Sequence, residues 1–366
     1  MKFGVLLPLA ASAFCIVSCA GTPRYAAFLD PLEHELKARR IAGVTDLRSR
    51  IAELVEREAL PDIYAPNPGA AMAASAGRLK VASAAWWGWN AESATFALNA
   101  ALSAPVDILI IPAMQKPWVV GPLFISGPKT VLFEPGCVML AAKGEFLDRN
   151  DSLISVVDEY GLTISGYGSR LVMRKSDYTR DPYVPSQWRH AISILESGGL
   201  LIEGLSIERS GGDGVYIGQR RGGSRPMNIT LRDLDLKGNH RQGVSVIAAY
   251  GFLMEYCRVV GTRGNPPQAG IDFEPNSQVY GLVDCVVRSC VFRRNAGAAV
   301  HVHLSKVKAT QPPVSITVED SVLIGAPLAL WVRGLSSRVR GSATISGGIV
   351  KGLKTVERTP FFSVDY

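Results

Sequence analysis

The sequence predicts an all-β fold: a parallel β-helix, or solenoid, with an N-terminal helical cap. Three observations carry this. From about residue 105 to 350 the chain is a series of short Val/Ile/Leu-rich runs broken by Gly, Asn, Asp and Pro, the pattern of many short strands separated by turns. One run recurs as a small residue followed by alternating positions, with its first apolar residue at 215, 244, 271, 300 and 330, giving steps of 29, 27, 29 and 30. A second run sits between its copies and ends in the column Leu234, Cys257, Cys290 and Ser321. Periods of 25–30 residues with two or three strands per turn are those of a solenoid, and a sandwich would not keep its inward positions at near-constant spacing.

The elements follow in chain order. Met1-Lys2-Phe3 and the apolar run after it read as a secretory signal over residues 1–18. Ile16-Val17-Ser18-Cys19 resembles a bacterial lipobox, so Cys19 is expected to carry lipid. That would tether the chain to the cell envelope, at the outer membrane or periplasm of a Gram-negative host. Residues 19–84 read as a helical lead-in and linker, either a spacer or an N-terminal cap. Leu29, Leu32 and Leu36 form one helical run, and Leu47, Ile51, Leu54 and Val55 a second, with Thr45 as the N-cap between them. Pro61, Pro66 and Pro68 mark the linker over 61–83. Ala91–Leu102 is an amphipathic helix, residues 85–355 form the β-helix, and 356–366 a C-terminal tail.

Composition narrows the class. Hydrophobic residues make up 47% and charged residues 19%, which excludes disorder. No second apolar stretch is long enough to span a bilayer. Cys137, Cys257, Cys285 and Cys290 are too few for a disulfide framework and read as buried thiols. The formal charge of +7 is not gathered into a nucleic-acid stripe, so no nucleic-acid partner is expected. Across residues 215–300, however, Lys and Arg number 11 against 6 Asp and Glu, which points mildly to an acidic ligand.

Gly121–Ile125, then Thr130–Leu140, and the Ala/Leu helix before them resemble the first coil and end cap of right-handed parallel β-helix proteins of the pectate-lyase and polygalacturonase type. The resemblance covers roughly residues 85–350 and implies a right-handed, single-stranded parallel β-helix. It does not carry activity across. The Asn-Thr-Asp, Asp-Asp, Gly-His-Gly and Arg-Ile-Lys set of polygalacturonases is absent, as is the Asp-Pro-His-Glu motif of mannuronan epimerases. Gly211–Gly214, Asn239–Gly243 and Gly270–Asn276 are similar to segments of bacterial β-helix proteins presumed to act on polysaccharides. Fold analogy alone assigns no function.

Alternation places Tyr216, Ser245, Asp272, His301 and Trp331 in one outward column, and Gly218, Ile247, Glu274, His303 and Arg333 in the next. Three adjacent coils therefore present two carboxylates, two imidazoles, and an indole with a guanidinium. Asp272 and Glu274, two residues apart on one strand, are candidates to divide into acid and base. As hydrolytic carboxylates they could stand at either the retaining or the inverting separation. His301 and His303 are candidate bases, uronate-binding groups, or metal ligands with Glu274; no cofactor is required by the pattern, and a divalent metal stays open. Trp331 is a candidate sugar-stacking platform. Asp213 is a remote acid or base or a turn-shaping residue, while His240, Arg241, Asn276, Tyr216 and Arg333 are candidate substrate-binding groups. The leading expectation is a surface-tethered glycoside hydrolase acting on a polysaccharide or oligosaccharide through Asp272 and Glu274. The alternatives are a lyase or epimerase with a His base (Tyr216 as its acid), a non-catalytic glycan-binding β-helix, and a purely structural solenoid.

Overall fold

The computed structural model describes residues 23–278, 280–308 and 312–366. The strands form three parallel sheets of eleven, nine and nine strands, here called A, B and C. Each coil visits A, then B, then C, before stepping up to the next strand of A. The repeats predicted at 215, 244, 271, 300 and 330 are in register: Val215 pairs with Val244, Val244 with Ile271, Ile271 with Val300, and Val300 with Leu330, all in sheet C. The second predicted run belongs to sheet A. A third strand per coil, such as Asp235–Lys237 and Arg258–Val260, makes sheet B.

From the coil of Gly198–Glu203 to that of Val314–Glu319, the corner between A and B turns on one residue in the left-handed region. Asp233, Tyr256, Ser289 and Asp320 occupy it at φ 53°, 53°, 51° and 47°, and Gly204 at 74°. The residue after the corner points inward. There the predicted column forms a continuous ladder, in which Leu234 N donates to Cys257 Sγ, Cys257 N to Cys290 Sγ, and Cys290 N to Ser321 Oγ. All four cysteines of the described residues are buried and free. Glycine thus fills only some corners; Asp, Ser and Tyr bear the left-handed strain at the others, held by the ladder pairing on both sides.

The lead-in differs from expectation. Helix α1 runs unbroken over Pro23–Arg57. Thr45 does not start a second helix; its hydroxyl donates to Ile41 O inside the first. The reason is that both apolar stripes fall on the same flank of the solenoid. Leu29, Leu32 and Leu36 pack on Val291, Val322 and Ile324, while Leu47, Ile51 and Leu54 pack on Ile110, Leu132 and Tyr167. At about 1.5–3 kcal/mol per buried aliphatic side chain, keeping the helix continuous outweighs any gain from a break. Arg39 pairs with Asp233 at 2.7 Å and lies over Tyr256, Arg40 pairs with Asp235, and Glu33 with Arg293. The helix is therefore a strut lying along the coils, neither a spacer nor an end cap.

The end is closed instead by α2 (Pro68–Ser75), a short 3-10 turn at Ala84–Trp87, and α3 (Thr95–Ser103), whose Leu98, Ala101 and Leu102 join the core. The expected linker over 61–83 accordingly holds α2 and the first sheet-A strand, Val81–Ser83, so the solenoid starts a few residues earlier than 85. At the other end the expected tail is part of sheet A. Phe362–Asp365 pairs with Gly341–Thr344, and Phe362 is buried over the last coil. The signal segment 1–18 and Cys19 lie outside the described residues. Among the described residues no helix is long and apolar enough to cross a membrane.

Candidate functional site

The outward face of sheet C carries the site. Strands Ile271–Phe273, Ala298–His303 and Leu328–Arg333 bring Asp272, His301 and Trp331 into one ladder column, and His303 opposite Arg333. The predicted columns are thus real, but they are not equally open. Asp272 and His301 are 0% exposed, while Glu274 and His303 retain 21% of their side-chain surface. Alternation gives the direction of a side chain and not what lies over it. Here Gln242, Trp331 and Arg333 fold across Asp272 and His301.

Two parallel chains of hydrogen bonds result. In the inner one, Ala269 N donates to Gln242 Oε1, and Gln242 Nε2 donates to Asp272 Oδ2 at 2.8 Å. Asp272 Oδ1 lies 2.8 Å from His301 Nδ1, and Arg333 Nε donates to His301 Nε2 at 3.0 Å. Because a guanidinium can only donate, Nε2 is the acceptor and the proton of His301 sits on Nδ1, facing Asp272. Both partners of this pair are fully engaged.

In the outer chain, Glu274 Oε1 lies 2.8 Å from His303 Nδ1, and Glu274 Oε2 accepts from Arg241 Nη2 at 3.0 Å. Burial, the largest single influence, would raise Glu274, but the His303 hydrogen bond and the Arg241 charge together draw it down to about 2. It is a carboxylate at any ordinary pH. Its role is to hold His303 by Nδ1, while Nε2 of this partly exposed imidazole has no hydrogen-bond partner among the described residues. Arg241 also reaches Asp213 Oδ2 at 3.4 Å.

Asp213 is fully buried, and burial pushes it up to about 7; Arg241 counteracts this and the Asp272 charge adds to it. His190 lies beneath it. The Asp213 backbone N–H donates to His190 Nδ1 at 3.0 Å, and burial, with the nearby Arg241 charge, lowers that imidazole to about 3. His190 stacks on Tyr216 at 4.6 Å. Tyr216, pushed up to about 12 by burial with help from the Asp213 charge, is three strand spacings from His301, roughly 14 Å. It does not join the His301–His303 group as an acid. Asn276 lies at the surface beside the Tyr216 hydroxyl.

The other candidates are placed as follows. Trp331 has the His301 ring 4.6 Å from its own and the Arg333 guanidinium carbon 4.3 Å from its centroid, so it is a support for those two side chains and no open platform. Ile247 is buried against Ala248, Tyr280 and Tyr216. His240 lines a separate cleft with Asn265 and Trp188. Among the described residues no group of three or more His, Cys, Asp or Glu side chains is arranged to hold a metal ion. Each imidazole of the outward pair spends Nδ1 on a carboxylate instead. His190 was given no role from the sequence, and Gln242 only a place beside His240 and Arg241 at the edge of this face. The signal was present: His190, Asp213 and Gln242 each stand two residues before an inward-facing residue of register-matched strands, Ile192, Val215 and Val244.

Sheet topology makes the fold a parallel β-helix. Residues 184–342 match the family model described as a right handed beta helix region. Among solved structures, the chain is similar to an alginate lyase from Paenibacillus sp. str. FPU-7. The identity is 14%, covering 74% of this chain and 95% of that one, with a TM-score of 0.44. It is also similar to a polygalacturonase from Erwinia carotovora ssp. carotovora, with 12% identity over 75% of this chain and 94% of that one, at a TM-score of 0.42. No curated protein sequence matches the chain.

Proposed function

We propose that the protein is a polysaccharide-active enzyme acting on an acidic glycan, with His303 as a general base that removes the proton next to a uronate carboxylate. The observation that carries this is the Glu274–His303 pair: an ionised carboxylate at 2.8 Å holds Nδ1 of a partly exposed imidazole. Arg333, the ladder neighbour of His303, supplies the second part. Its Nε is fixed on His301 and its guanidinium carbon lies 4.3 Å from the Trp331 ring centre, which leaves the two Nη groups to take a carboxylate as a fork.

The step balances as follows. His303 Nε2 takes the proton from the carbon bearing the carboxylate. The electron pair forms a double bond to the adjacent ring carbon, whose bond to the glycosidic oxygen breaks. The imidazolium then returns its proton to the departing oxygen. Arg333 stabilises the charge that builds on the carboxylate in the transition state.

The hydrolytic alternative with Asp272 and Glu274 as an acid/base pair draws less support. Asp272 has no exposed surface, and Glu274 at about 2 holds no proton to donate. Oligouronates are the substrates to try. An unsaturated product absorbing in the ultraviolet supports elimination, and its loss in folded His303→Ala assigns the base. Reducing ends released without unsaturation would refute the elimination. The envelope tether rests on Ile16–Cys19 alone and is proposed with it.

A further inference from the structure

Between the sheet-B strand ending at Val172 and the sheet-C strand beginning at Ile192, the chain inserts a lobe that the repeat does not require. It is a built structure. Arg189 is 0% exposed, and donates from Nε to Phe146 O at 2.7 Å and from Nη2 to Leu147 O and Val184 O. Tyr178 and Tyr183 meet edge to face at 5.0 Å, and Gly144 N donates to the Tyr183 hydroxyl. Gln187 reaches across to Asn265, three coils further along.

Lobe and coils together enclose a cleft of about 550 Å³, within the usual range for small-molecule sites of about 300–1,000 Å³. Three features of its lining point to one ligand chemistry. Trp188 is 39% exposed, a large side chain left at the surface of a lobe whose other aromatics are buried. Arg149 and Arg180 are exposed and, among the described residues, neither is in an ion pair; Asp181 is the one carboxylate of the lining. His240 adds a ring whose burial, with the Lys175 charge nearby, favours its neutral form, and the Gln187–Asn265 amides add hydrogen-bonding groups.

Two residues of the cleft are close chain neighbours of the site. His240 precedes Arg241, which bonds Glu274; Trp188 and Arg189 precede His190, which bonds Asp213. We propose that this cleft is a distal subsite that grips an anionic sugar unit of the glycan, with Trp188 stacking on the ring and Arg149 and Arg180 taking the carboxylate. An indole face suits the C–H face of a pyranose, and an unpaired guanidinium is a ready partner for a planar anion. Because the lobe is held by buried hydrogen bonds, little ordering is required on binding.

The inference rests on the reading of the substrate as an acidic glycan, but not on His303 being the base. It is tested by calorimetry with galacturonate and mannuronate hexasaccharides and disaccharides, using full-length protein carrying His303→Ala so that no turnover intervenes. Binding of either hexasaccharide is expected to weaken about tenfold or more in Trp188→Ala and in Arg149→Gln/Arg180→Gln, with Trp188→Phe restoring much of it. The disaccharides are expected to bind equally to all variants. Unfolding midpoints check that each variant is folded. Hexasaccharide binding unchanged by both substitutions, or no binding of either hexasaccharide, overturns the subsite. An active His303→Ala enzyme would overturn the base, and the subsite would then be read from the same order of variants in KM for the hexasaccharides.

Discussion

Glu274→Gln is the most informative single substitution, because it keeps the shape of the side chain and removes its charge. Glu274 accepts from both His303 and Arg241, and its pKa falls from about 4.3 in a free chain to about 2. That difference is worth about 3 kcal/mol of preferential interaction with the ionised form at neutral pH. Screening at a side chain one-fifth exposed brings the expected loss of stability nearer 2 kcal/mol. The sign follows from a depressed carboxylate: its contribution is present above pH about 4.3 and is lost as the pH falls toward 2. Urea unfolding at neutral pH reads this loss. Activity is expected to fall further, by roughly 10²–10⁴ in kcat, because an amide can donate to Nδ1 and so drive the His303 proton to Nε2, where a base must be empty. KM should move little, since Arg333 is untouched. A folded Glu274→Gln protein with wild-type kcat would refute the assignment of the pair.

Other outcomes follow from the same geometry. Asp213, raised to about 7 from about 3.9 in a free chain, holds a proton that the unfolded chain releases above pH about 4. Its contribution to stability is therefore full below pH 4 or so and fades as the pH rises through about 7. Asp213→Asn should flatten that decline by up to about 4 kcal/mol in unfolding measurements across the window, and an unchanged pH dependence would contradict it. Leu47→Ala, at the α1–solenoid contact, should cost about 2–5 kcal/mol by urea unfolding. A loss below about 1 kcal/mol would mean that the strut is not docked. Burial raises the Cys137, Cys257 and Cys285 thiols well above their usual range, so alkylating reagents should label them only on unfolding; fast labelling of the folded chain would refute their burial.

The coils were legible in the sequence because strand alternation and a near-constant period are local properties. Val215, Val244, Ile271, Val300 and Leu330 could be aligned without knowing anything distant. The outward columns followed from the same rule. What alternation cannot report is cover. Asp272 and His301 face outward and are buried all the same, because Arg333 and Gln242 reach over them from neighbouring coils. The same limit hid the path of α1: its two apolar stripes are visible, but the flank that unites them is assembled from residues as far apart as Ile110 and Ile324. Asp213 and Glu274 looked alike as carboxylates, and their opposite proton affinities come from burial, from the His303 hydrogen bond to Glu274 and from how each shares Arg241.

The central claim is that His303 removes a proton next to a uronate carboxylate. It is tested most directly by nuclear magnetic resonance of oligouronates incubated with the enzyme in D₂O. The account predicts unsaturated ends from the wild type, and from a folded His303→Ala variant neither unsaturation nor solvent exchange at that carbon. Unsaturation persisting at the wild-type rate in His303→Ala, or cleavage that leaves every such carbon saturated, would contradict it.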